Sequence, residues 1–149
     1  MGMFMGIDTA ASGLTAERLR MDLISNNIAN ANTTRTENGT AYRRRYAIFS
    51  PRDRRPESFE QTLMKATGGK KNVGEGVRAV AIAEDTTQGP LVYEPGHPDA
   101  NAEGYVEKPN VNIVTEMVDM ITAHRAYEAN TTTINAAKAM ITKALEIGS

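Results

Sequence analysis

Two histidines, six arginines within 13 residues and a Gly-Gly-Lys-Lys run are the groups in this 149-residue chain with the most obvious chemistry. His97 and His124 lie in different segments, and His124 shares its helical face only with Glu128 at i+4. A zinc or iron site needs three or more convergent ligands, so this spacing implies neither a metal nor another cofactor. Cysteine is absent, which removes disulfides, thiolate nucleophiles and Cys-based zinc sites together. Ser12, Ser25, Ser50, Ser58 and Ser149 stand outside any G-x-S-x-G context. Gly68 to Lys71 lacks both the G-x-x-x-x-G-K-[ST] spacing and a preceding strand, so it reads as a surface loop. The expectation is a protein that is not an enzyme.

The arginines Arg43, Arg44, Arg45, Arg52, Arg54 and Arg55 could make a phosphate-binding patch. On a strand, however, Arg43 and Arg45 project from the face opposite Arg44. An acidic stretch also follows. Residues 35–78 hold 11 Lys or Arg against 5 Asp or Glu, whereas 84–119 hold 8 Asp or Glu against Lys108 alone. The net charge of -1 hides this segregation. It predicts pairing of the two segments, within the chain or between copies, and no nucleic-acid partner.

The elements that must position these groups fall into three parts. In 7–34, Ile7, Leu14, Met21 and Ile28 recur every seven residues with Ile24 between them, the stripe of an amphipathic helix. Asp8 suits an N-cap or the first turn. Gly13 predicts a bend or fray near Ser12. In 110–147, Ile113, Met117, Met120, His124, Tyr127, Thr131, Ile134, Ile141 and Leu145 follow a 4-3 progression, with Ile121 beside it and one step missing at Lys138. Pro109 suits the entry, Asn110 or Asn112 the cap, and Gly148 the exit. A helix of that length is long for a compact domain of this size.

Between them, residues 42–49 and 77–85 alternate as strands and 90–95 is a third short candidate. A helical turn and flexible loop are expected in 58–76 and a loop in 95–104. The core must be unusual, because there is no Trp and only three Phe. The apolar content leans on Ala, Met, Ile and Val. No cleavable signal and no membrane-inserted segment are expected. The pattern alone leaves two readings open: terminal helices that pack against copies of the chain, or a soluble monomeric α+β adaptor with an intramolecular helix pair.

One stretch sharpens the choice. Residues 24–34 read ISNNIANANTT, where four Asn crowd the end of a helix although Asn competes for backbone groups. Arg20, Asp22, Ile24, Ser25, Asn27, Ile28, Ala29, Asn30 and Thr33 fit the pattern Arg-x-Asp-x-Ile-Ser-x-Asn-Ile-Ala-Asn-x-x-Thr. Asn112, Glu116, Met117, Val118, Ile121, Arg125, Tyr127, Glu128, Ala129 and Asn130 form a second motif at the other end. Together these segments resemble the bacterial flagellar rod and hook protein family, most of all its proximal rod members, and the short middle argues against its longer ones.

The resemblance implies an α+β fold with a coiled-coil-like inner domain and a small β-rich middle. It divides the chain into 1–34, the N-terminal helix of an inner assembly domain; 35–108, an outer domain; and 109–149, the C-terminal helix. It implies a structural rod subunit in the basal body, delivered by the flagellar type III export apparatus, that assembles with itself and other rod proteins. Such a rod crosses the periplasm or cell wall, carries torque from rotor to hook and surrounds the export channel. The helix-packing residues would be Ile7, Leu14, Met21, Ile24, Ile28, Ile113, Met117, Met120, Ile121, His124, Tyr127, Ile134, Ile141 and Leu145. The motif's polar residues include Asn27 and Asn30, and the asparagines are expected to set register and end the helix where chains meet.

Overall fold

Helix α1 spans Gly2–Ala29 in the computed structural model, which describes residues 2–52 and 76–147. The helical turn and loop expected in 58–76 lie almost entirely outside these residues, as do Arg54, Arg55, the Gly68–Lys71 run and Gly148. Helix α1 starts earlier than the apolar stripe suggests. Asp8 therefore sits inside it, past the first turn, 3.8 Å from Arg52. The helix also runs through Gly13 without a break, against the expected bend. The reason is tertiary: a Cβ on Gly13 would stand 2.9 Å from Asn130 Nδ2 on the facing helix. Close approach of a second helix compensates for the weak local propensity.

At its C-terminal end α1 is closed by its own asparagines. Asn30 Nδ2 donates to Asn26 O at 2.9 Å and to Asn26 Oδ1 at 3.1 Å, and the Thr33 hydroxyl donates to Asn30 Oδ1 at 3.2 Å. The Asn30 side chain thus bonds back onto its own last turn, where Asn26 O also accepts from Asn30 N at 3.1 Å.

Helix α2 spans Ile113–Ile147. Asn112 is its cap, with Oδ1 accepting from the amides of Val114 (3.0 Å) and Thr115 (3.2 Å). Asn110 is used elsewhere. The helices pair antiparallel, with Asn27 facing Glu116 and Gly13 facing Asn130. At 1.5 Å per residue, α1 is about 42 Å long and α2 about 52 Å.

The seam between them is made of small and polar residues. Ala10, Ala16, Ile24 and Asn27 are buried on α1, and Glu116, Ala123 and Ala137 on α2. Ile7, Leu14, Met21 and Ile28 flank it half-buried, as do Met120, Tyr127, Ile134 and Ile141. Ile113, Met117, Ile121, His124 and Leu145 are exposed, so the seam is rotated from the apolar stripe read in the sequence. Helices that approach closely at a glycine have no room for bulky residues there.

The middle is β-built, as the α+β class requires. Strands β1 (Arg45–Pro51) and β2 (Val77–Glu84) pair antiparallel, with a register shift between Ile48 and Phe49. Strand β1 begins three residues later than expected: before it, Tyr42 N donates to Thr33 O at 3.1 Å and Arg44 N to Asn110 Oδ1 at 2.7 Å rather than to a partner strand. Strands β3 (Leu91–Tyr93) and β4 (Tyr105–Glu107) form a second antiparallel pair, joined by an edge-on contact between the Tyr93 and Tyr105 rings at 5.3 Å. Strand β4 has no counterpart in the alternation pattern, being only three residues long. The β1–β2 ribbon docks on α1: the Val77 amide donates to Ser12 Oγ at 3.0 Å, and the Arg20 guanidinium lies 5.2 Å from the Phe49 ring centre.

Candidate functional site

The main polar site lies where α1, α2 and the start of β1 meet. Asn27 and Glu116 are both fully buried. The Asn27 amide uses its whole hydrogen-bonding capacity. Nδ2 donates to Arg45 O (2.9 Å) and to Glu116 Oε2 (3.0 Å). Oδ1 accepts from Arg45 N (2.9 Å) and from the Tyr42 hydroxyl (3.0 Å), which also reaches Asn26 Oδ1 at 3.0 Å. A side chain thus pairs with both backbone groups of Arg45, as a neighbouring strand would.

Glu116 is neutralised from the other side. Arg44 Nε donates to Glu116 Oε1 at 2.5 Å, while its Nη2 lies 3.4 Å from Asp119 Oδ2. Asn110 continues the chain of bonds. Its Oδ1 accepts from Arg44 N at 2.7 Å, and its Nδ2 donates to the carbonyls of Asp85 (3.1 Å) and Thr87 (3.0 Å). A buried charge is tolerated only when paired and hydrogen-bonded, and Glu116 is both.

The electrostatics around this cluster follow from its neighbours. Burial raises the Tyr42 phenol above its ordinary value of 10.0, which Arg45 partly offsets. Hydrogen bonds from Thr87 lower Asp85, and the Thr34 hydroxyl lowers Asp99. Each of these keeps the group in the protonation state its partner needs.

The described arginines of the run, Arg43, Arg44, Arg45 and Arg52, are paired inside the chain. Arg43 meets Glu107 at 2.7 Å, Arg44 meets Glu116 and Asp119, and Arg45 meets Glu84 at 2.7 Å. At Arg43, Arg44 and Arg45 the charge segregation in the sequence is therefore an internal complementarity.

The other motif residues are scattered. Arg20 lies beside Glu17 at 3.6 Å and over Phe49. Asp22, Ser25 and Arg125 are exposed on their helices, and Thr33 and Asn30 close α1. His124 and Glu128 form an exposed pair at 3.3 Å. Asn130 packs on Gly13, with its amide donating to its own helix at Ala126 O (3.0 Å). Sequence reasoning missed Arg44, Tyr42 and Asn110 as members of the cluster. The segregated charge was the one signal that could have paired Arg44 with an acid. Among the described residues, no group of three or more His, Cys, Asp or Glu is placed to hold a metal ion. No helix among them is long and apolar enough to cross a membrane.

A second surface stands out on α2. Val114 (71% exposed), Met117 (54%), Val118 (57%) and Ile121 (54%) form one apolar face turned away from α1. Their spacing of four and three places them along one side of the first two turns. The exposed part of α1 between Thr9 and Asn26 is polar: Thr9, Thr15, Arg18, Asp22, Ser25 and Asn26.

The two helices form a pinned pair, and α2 presents an apolar flank that α1 does not cover. Residues 7–35 match the family described as "Flagella basal body rod protein", and residues 102–147 match "Flagellar basal body rod FlgEFG protein C-terminal". These matches cover most of α1 with its exit turn and α2 with its entry, which defines the class as flagellar basal-body rod proteins. Along nearly its whole length the chain is similar to the flagellar basal-body rod protein FlgC of Borreliella burgdorferi, at 49% identity over 99% of this chain and 98% of the relative. It is also similar to that of Bacillus subtilis (47%, 99% of both chains) and of Salmonella typhimurium (36%, 95% and 94%). The chain belongs to the FlgC family of flagellar basal-body rod proteins, which are structural subunits of the basal-body rod.

Proposed function

We propose that the helix pair, residues 1–34 with 109–149, is the inner assembly domain of this rod subunit and that residues 35–108 form its outer domain. The observation that carries this reading is the apolar flank of α2. Burying one Val, Met or Ile side chain stabilises an interface by about 1.5–3 kcal/mol before the costs of association. The four flank residues side by side therefore favour burial against a neighbour. The occupants are copies of this chain and other rod proteins. Repeated around an axis, such contacts share load among many subunits, which suits transmission of torque from rotor to hook and leaves an export channel at the centre. The subunit reaches its place through the flagellar type III export apparatus.

Mixing the purified chain with the other rod proteins and examining the mixture by negative-stain microscopy tests this. Short rods or rings are expected. Persistent single globules would favour a monomeric adaptor whose helix pair serves only its own fold.

A further inference from the structure

We propose that the Asn27–Glu116–Arg44 cluster is a register lock, which selects one axial alignment of α1 and α2 among alignments that apolar packing barely distinguishes. The helix seam carries little apolar information about register. Its buried apolar residues are Ala10, Ala16, Ala123 and Ala137, and Ile24 is the only large one among the described residues. The inward positions of α2 (Glu116, Ala123, Asn130 and Ala137) repeat every seven residues. Such a repeat can slide by one heptad and present the same face.

The competing alignment can be written down. Sliding α2 by one heptad, about 10 Å, moves Glu116 from Asn27 to Arg20. Ala123 then faces Gly13. Asn130 faces Gly6, where a Cβ would meet nothing within 4 Å. The slipped state gives the buried carboxylate a cation and places Asn130 opposite open space at Gly6, without a clash. Its penalty is polar. It strips Glu116 from Arg44 and leaves an amide donor of Asn27 without its acceptor. A single buried polar contact is known to fix register in paired helices, and buried ion pairs do so in some systems.

Arg44 is the discriminating element, because its place is fixed relative to α1, on which Asn27 grips the backbone of the next residue, Arg45. Its backbone N–H is held by Asn110, and its carbonyl accepts from Asp85 N at 2.8 Å. The guanidinium can therefore meet Glu116 in only one axial position. The lock sets where the middle region attaches along the helices, and so the geometry that every subunit repeats.

The chain lacks cysteine, so spin labels can be placed at will. Thr15→Cys and Thr142→Cys put labels on exposed positions of each helix, about 21 Å apart along the axis in the observed register. Pulsed dipolar spectroscopy on the full chain should give one distance population. Glu116→Gln keeps one acceptor for the cluster and removes the charge that Arg20 would pair with in the slipped alignment, so it should leave that population single. Arg44→Met should add a second population about 10 Å longer, with helical circular dichroism retained. Adding Arg20→Leu should remove that second population. Where Arg44→Met lowers helicity, Arg44→Lys is read the same way, since a point charge cannot serve Glu116 and Asp119 in the same geometry. A single native distance in the Arg44 variants overturns the proposal. Loss of helicity in both also overturns it, because the cluster would then supply stability rather than choose register. The measurement is made on the subunit alone, so its failure is distinct from a failure to assemble.

Discussion

At Asn27 a side-chain amide takes the place of a neighbouring strand for Arg45. Replacing Asn27 with Ala leaves the Arg45 N–H and C=O, and one Glu116 oxygen, without partners. The expected loss is about 3 kcal/mol, read from urea denaturation of the purified chain. Asn27→Asp should cost more, because two carboxylates would then meet in a buried site; equal or smaller loss would remove Asn27 from the centre of this account. Tyr42 gives a signed pH effect. Burial raises its phenol above 10.0, so the unfolded chain ionises first. Stability from this group is intact below pH 10 and falls as pH rises from there through the folded pKa. Tyr42→Phe should flatten that alkaline decline. Asp99 runs the other way: its carboxyl is held low by Thr34, so its contribution is present above about pH 3.9 and fades below. The asparagines were visible in the sequence as an oddity. Which of them is buried was not, because burial depends on Arg44, Tyr42 and Glu116, far apart along the chain.

At the scale of the elements, Gly6 and Gly13 of α1 make opposite predictions from the same residue type. Gly6 has open space where a Cβ would go, so Gly6→Ala should stabilise the helix by up to about 1 kcal/mol. Gly13→Ala gains the same propensity but drives a methyl into Asn130, so it should be neutral or destabilising. Thermal melts of the two variants check this, and equal stabilisation would mean that the helices do not approach closely at Gly13. The existence of both long helices was legible from apolar periodicity alone. The rotation of the seam was not. Periodicity marks the residues that want burial, whereas the intrachain seam is set by those small enough to permit contact. Strand β2 was legible because Val77 to Glu84 alternates. Strand β4 was not, because three residues hold too little pattern and its place is fixed by Tyr93 and Val106.

For the whole molecule, the folded subunit and the assembled rod make separable demands. Met117 and Val118 lie on the flank of α2 that α1 does not cover, so Asp at either position should change the stability of the isolated chain by no more than about 0.5 kcal/mol. Ile28 is half-buried beside the seam, so Ile28→Asp should lower both stability and swimming. The class of protein was legible from the two terminal motifs, whereas the surface that α2 leaves open needed the structure. The most direct test of the central claim is electron microscopy of basal bodies purified from cells carrying Met117→Asp with Val118→Asp, alongside a melt of the same purified chain. The account predicts a normally folded subunit and basal bodies that lack a complete rod, in cells that do not swim. Complete rods in swimming cells would contradict it.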